Sequence, residues 1–154
     1  MGSRRDLMRR LNRHTDVVLV SYYQIRGDFS VRSPETVKSD FRRLVKVYLG
    51  RMIYVADTGY PSSQLLGSST VKQRQYIVAV FSAWDTHSVQ IGYLSFAWYH
   101  DQPTAQLDQF ERYNGSSNPH FRAFLATLGL RERDGTPKPA IAAVRHNITK
   151  RDWK

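Results

Sequence analysis

QYIVAVFSAWDTHSVQIGYLSFAWY, residues 75–99, is the stretch whose reading decides the fold. Its two halves, Gln75–Trp84 and Val89–Tyr99, are dense in β-branched and aromatic side chains, and Asp85-Thr86-His87-Ser88 lies between them. Such residues favour the pleated backbone, and polar turn formers between two runs of them predict a β-hairpin. Apolar groups occupy both phases of the alternation, so both faces of these strands are expected to be covered.

Outward from this hairpin, Val17–Ile25 reads as a largely buried strand that turns at Arg26-Gly27-Asp28 and continues through Phe29–Arg32. Arg51–Ala56 reads as a short strand. Residues 57–70, with two Gly, four Ser and one Pro, read as a loop. The clearest helix spans 34–49. Ser33 can cap it, Pro34 suits its first position and Gly50 stops it, while Val37, Phe41, Leu44, Val45, Tyr48 and Leu49 form one apolar stripe. Two more helices follow, one from Pro103 to Asn114-Gly115 and one capped by Asn118 that ends before Gly129. Residues 4–13 allow a short helix, 131–139 are turn-rich, and 140–144 suffice for a brief helical turn. This order predicts an α+β fold: a single compact domain with a mostly antiparallel sheet, the amphipathic helix at 34–49, two C-terminal helices and basic terminal arms. The expected division is an arm at 1–14, a core at 15–130 and a tail at 131–154.

The chain has 154 residues and a formal net charge of +10. Residues 1–14 hold five arginines and one acid, residues 131–154 hold seven basic groups and three acids, and 71–130 are balanced. Charge gathered at both ends of a near-neutral, aromatic-rich centre points to a polyanionic partner. The expected function is therefore nucleic-acid binding, RNA or DNA, by a structural or accessory protein of coat, nucleocapsid or ribonucleoprotein type. Contact would be largely independent of sequence, through Arg4, Arg5, Arg9, Arg10 and Arg13, the outer helix face of Lys38, Arg42, Arg43 and Lys46, and the tail residues Arg145, Lys150, Arg151 and Lys154. Trp153 is a candidate for base stacking. The same arms could hold an anionic membrane surface in a matrix-like role, although Leu7, Met8 and Leu11 make a thin apolar side for it. A homo-oligomer or larger assembly fits either role.

Cysteine is absent, which removes disulfides, thiolate nucleophiles and cysteine-based zinc sites. No apolar run reaches the ~20 residues of a membrane helix, and no hydrophobic segment follows the basic start, so an intracellular protein is expected. The histidines at 14, 87, 100, 120 and 146 share no metal-ligand spacing, and no Walker loop or nucleophile elbow occurs. A non-enzyme without metal or cofactor is the expectation. A small nucleic-acid-processing enzyme built on His120, Arg122 or Asp57 stands as the third reading. Tyr76, Phe81, Trp84, Tyr93, Phe96, Trp98 and Tyr99 are assigned to the core.

Overall fold

A computed structural model describes residues 4–152. Three strands, β1 (Val17–Tyr23), β2 (Met52–Gly59) and β3 (Ile91–Phe96), form a sheet in the order β1-β2-β3. Both pairings are parallel, with Val18 opposite Ile53 and Ile53 opposite Ile91. The helices are α1 (Arg4–Leu11), α2 (Val37–Val47), α3 (Thr70–His87), α4 (Thr104–Asn114), α5 (Pro119–Ala126) and α6 (Pro139–Lys150). Parallel neighbours need a crossover between them, and α2 and α3 supply it in two successive βαβ units.

The mostly antiparallel sheet is thus corrected, and the cause lies in residues 75–99. Their first half is helix α3, not a strand. Gln73, Tyr76, Ile77, Val80, Phe81 and Ala83 are buried at helical spacing, and the Ser69 side chain accepts a hydrogen bond from the Lys72 amide at 3.2 Å as the N-cap. The β-forming side chains are tolerated because α3 is wedged between the sheet and α6, so packing outweighs propensity. The segment at 57–70 is not one loop either: β2 runs on to Gly59, and α3 begins at Thr70. The brief turn expected at 140–144 is the twelve-residue helix α6. The helix expected over 34–49 is a 3-10 turn at Pro34–Thr36 that leads into α2, with Ser33 accepting from the Glu35 amide.

One face of the sheet carries the core. Val18, Ile53, Val55 and Ile91 pack there with Val37 and Phe41 of α2 and with Tyr76, Ile77 and Val80 of α3, all at most 1% exposed. Beyond β3 the chain continues extended, and residues 129–131 lie beside it. Leu130 and Arg131 amides donate to the Trp98 and Tyr99 carbonyls at 3.2 and 3.0 Å, and the Asp101 amide donates back to Arg131 at 2.9 Å. This contact needs a bare backbone. A Cβ on Gly129 would lie 2.2 Å from the Asp101 amide nitrogen. The opposite sheet face is open over its middle: Leu19, Met52 and Tyr93 on it are 63%, 38% and 49% exposed, whereas Phe124 of α5 packs on Tyr23 at its carboxyl end.

Candidate active site at the carboxyl edge of the sheet

In parallel sheets, side chains at the carboxyl ends of the strands surround the crevice where ligands bind. Here that edge is formed by Tyr23 of β1, Asp57 and Thr58 of β2, and the segment after β3. An irregularity in the pairing between Val20 and Ser21 places Ser21 opposite Asp57 and Tyr23 opposite Gly59. Asp57 therefore shares a face with Tyr23, whose hydroxyl donates a hydrogen bond to its Oδ2. Burial raises the Tyr23 pKa well above the ordinary tyrosine value, and the hydrogen bond to Asp57 and its charge raise it further. Tyr23 accordingly keeps its proton at neutral pH and acts as a donor. Phe124 meets its ring edge-on at 5.3 Å.

Beneath this edge lies a buried polar layer that fixes the strand ends. The Thr58 hydroxyl donates to the Tyr22 carbonyl at 2.6 Å and meets the Tyr76 hydroxyl. Tyr22 donates to Asp40 Oδ2 at 3.0 Å, and Gln24 Nε2 reaches the Tyr22 hydroxyl at 2.6 Å and Thr36 Oγ1 at 2.8 Å. Arg32 and Arg43 close on Asp40 at 2.8 and 2.9 Å. Burial alone would raise the Asp40 pKa, but the two guanidinium groups and Tyr22 outweigh it and hold the carboxyl below its ordinary value. On the far side, buried Asp101 accepts from Lys138 Nζ at 2.7 Å and from the Gly129 amide at 2.9 Å. Burial pushes Asp101 up to about 6 against the pull of Lys138.

After β3, Trp98 adopts φ 52° and stacks on Phe110 with ring centroids 5.6 Å apart. A left-handed backbone is strained for a large side chain and persists only where the surroundings impose it. Arg131 lies over the exposed Tyr99 ring, 5.2 Å from its centroid.

Among the described residues, the cations expected to grip nucleic acid do not converge on this edge. Arg43 is engaged by Asp40. Arg151 donates to Asp85 through Nε at 2.7 Å, covers the Phe81 ring at 4.9 Å and donates to the Asn147 carbonyl, so it docks α6 on α3. Arg10, Lys38, Arg42, Lys46, Arg145 and Lys150 are exposed. The side chains of Arg4, Arg5, Arg9 and Arg13, together with Trp153 and Lys154, lie outside the described residues. Of the enzyme candidates, Asp57 falls on the strand edge. Arg122 pairs with Asp108 at 2.9 Å and with Glu111, and His120 Nδ1 meets the Asp28 carbonyl at 3.0 Å.

No protein-family model and no curated protein matches the chain. Solved structures do. The β-glucuronidase of Bifidobacterium dentium superposes with a TM-score of 0.65 at 16% identity over 89% of this chain and 21% of its own. The GH5_18 protein of Bifidobacterium longum, in complex with Manβ1-4GlcNAc, gives 0.60 at 15% over 88% and 30%. The glycoside hydrolase family 17 β-1,3-glucanosyltransferase of Rhizomucor miehei gives 0.51 at 20% over 81% and 42%. The chain thus spans 21% to 42% of the length of these TIM-barrel-like structures. The likeness is one of fold. It overturns the nucleic-acid-binding expectation together with its alternatives, the membrane-surface reading of the same arms and the nucleic-acid-processing enzyme built on His120, Arg122 or Asp57. That reading was built on charge at the ends of the sequence and along 38–46; in the fold Arg151 is drawn into an ion pair with Asp85, and Arg43, though exposed, is engaged by Asp40.

Proposed function

We propose that this chain carries part of a glycoside-cleaving site, with Asp57 as its catalytic carboxylate. The observation that carries the reading is the placement of Asp57. It sits half-buried at the carboxyl end of the central strand, with the Tyr23 hydroxyl donating to it. Glycoside hydrolysis uses two carboxyl groups around an oxocarbenium-like centre: one protonates the leaving oxygen, the other attacks the anomeric carbon or activates water. Asp57 suits the second task. Tyr23, held protonated, donates to Oδ2 and so fixes which oxygen of Asp57 faces the sugar. Trp98, half-buried after β3, stacks one ring face on Phe110 and is assigned to meet a sugar ring with the other. Asp101 is spent on Lys138 and Gly129, so the acid that protonates the leaving group comes from outside this strand edge. The fold neighbours named above are glycosidases and transglycosylases of β-linked sugars, which makes a β-glycoside the first substrate class to try.

Tryptophan fluorescence under titration with cellobiose, laminaribiose and a β-glucuronide tests this. Saturable quenching by at least one sugar, lost in Trp98→Ala and weakened in Asp57→Ala with unchanged melting, is expected. If no sugar binds the wild-type protein, or if both variants bind as it does, the reading is wrong.

A further inference from the structure

We propose that Arg131 and Arg145, gathered at the exposed Tyr99, bind the oxyanion of a small acidic ligand, a carboxylate or a phosphate. Three segments build the place. Tyr99 lies in the extended stretch after β3, Arg131 in the stretch beside it, and Arg145 on α6. Backbone bonds set the first two in register: the Arg131 amide donates to the Tyr99 carbonyl at 3.0 Å, and the Asp101 amide donates to the Arg131 carbonyl at 2.9 Å. The Arg131 guanidinium lies over the Tyr99 ring, 5.2 Å from its centroid, and its Nη1 donates to the Gly135 carbonyl at 2.7 Å. His100 meets the same ring edge-on at 4.8 Å. Arg131 is thus held from two sides, so little rotamer freedom is left to lose when a ligand arrives. Arg145 is the exposed member, and it borders an open hollow of about 530 Å³ with Pro137, Pro139 and Ile141.

The ligand class follows from what these cations lack. Two guanidinium groups gathered at one phenol repel each other until an anion joins them. Among the described residues neither Arg131 nor Arg145 forms an ion pair with an acid. The buried carboxyl of Asp101, two residues from Tyr99, is committed to Lys138 and the Gly129 amide. Tyr99 itself feels the unmet charge: hydrogen bonding to Arg131, then the positive charges of Arg131 and Arg145, hold its pKa below the ordinary tyrosine value. A carboxylate or phosphate meets the need in full, because its oxygens match the guanidinium fork and supply the missing charge. The Tyr99 hydroxyl stands beside it as a further donor. A neutral sugar hydroxyl offers no such charge. The site stands on these side chains and is independent of Asp57.

Calorimetric titration with sodium glucuronate, inorganic phosphate and glucose tests the site. At least one of the two anions is expected to bind the wild type saturably, and glucose is expected not to displace it. Arg145→Ala changes an exposed side chain and should keep native circular dichroism while weakening the binding about 10-fold or more, the loss of one charge-assisted contact. Arg133→Ala is the control. It removes the same charge from an exposed residue that reaches Thr104 Oγ1 instead, and it should bind as the wild type does. Binding of glucuronate alone makes an acidic sugar the source of the oxyanion, and binding of phosphate alone makes it a phosphate group. Mutual displacement shows that the site takes the oxyanion whatever carries it. The proposal is overturned if neither anion binds, if glucose displaces the bound anion, or if Arg145→Ala binds as tightly as the wild type. Equal weakening by Arg133→Ala overturns it too, since the anion would then be drawn by net charge alone. Asp57→Ala separates this site from the glycosidase reading: it should bind the anion unchanged, whatever becomes of neutral sugars, and loss of the anion there refutes the independence of the two sites.

Discussion

Replacing Gly129 with alanine should cost more than its one added methyl group suggests. The backbone angle at Gly129 is ordinary, so the cost is one of space. The new Cβ would sit 2.2 Å from the Asp101 amide nitrogen and 2.3 Å from the His100 carbonyl carbon, where unbonded heavy atoms prefer about 3.5 Å. Both obstacles are backbone, so no rotamer change relieves the clash. Residues 129–131 must instead move off the strand beside them. Four hydrogen bonds go with that movement: Leu130 to Trp98, Arg131 to Tyr99, Asp101 to Arg131, and Gly129 to the Asp101 carboxylate. At roughly 1 kcal/mol each the loss is about 4 kcal/mol, a large share of the ~5–15 kcal/mol that keeps a domain folded. Urea unfolding of Gly129→Ala should show a lower midpoint at unchanged slope. Gly27→Ala is the control, because its Cβ would meet nothing within 4 Å, and it should stay within about 0.5 kcal/mol of wild type. A loss below about 1 kcal/mol for Gly129→Ala would refute the argument from contact.

Three further outcomes follow from the same geometry. Asp40→Asn strips Arg32, Arg43 and Tyr22 of a charged acceptor and should cost about 2–3 kcal/mol at neutral pH, discounted because both arginines are partly exposed. The folded Asp40 pKa is depressed, so wild type should lose this contribution as pH falls below about 4, and the variant should converge with it there. Lys138→Met leaves the buried Asp101 carboxylate without its cation and should cost about 3 kcal/mol near neutral pH. The folded Asp101 pKa is raised already and rises further without Lys138, so this loss should shrink on acidification through about 6 in thermal melts against pH. Tyr23→Phe removes the hydroxyl that donates to Asp57 and should cost about 1 kcal/mol in urea unfolding; an unchanged midpoint would deny Tyr23 its positioning role.

Local signals in the sequence marked the elements that carry them. Ser33 and Pro34 mark the entry to α2, Asn118 caps α5 by accepting from the His120 amide at 2.8 Å, and Gly115 ends α4 in the left-handed conformation. The direction of the strands was hidden by α3. Its buried flank is built from Tyr76, Ile77, Val80 and Phe81, and Val78 on the outer flank is apolar as well, so no clean period of 3.6 emerges. The candidate site was hidden by the same stretch of reasoning. With β2 stopped at Ala56, Asp57 reads as a loop acid; once the strand runs to Gly59, it is a carboxylate at a carboxyl end. Tyr23 joins it through a pairing irregularity that no local pattern announces.

The all-parallel sheet also shapes how the chain reaches its fold. Every rung joins residues that lie on either side of a helix, Val17 with Met52 and Ile53 with Ile91. Among the described residues no hairpin joins neighbouring strands of the sheet, so each strand pair must close a long loop before any rung rewards it. The local order available first is α3, with its Ser69 cap and eighteen residues. On the ribosome β1 and β2 emerge well before β3, and their apolar side chains wait uncovered until Ile91–Phe96 has been made. Slow pairing and early exposure together favour aggregation over folding when synthesis is fast. Lower temperature and slower expression should therefore raise the soluble yield of this chain.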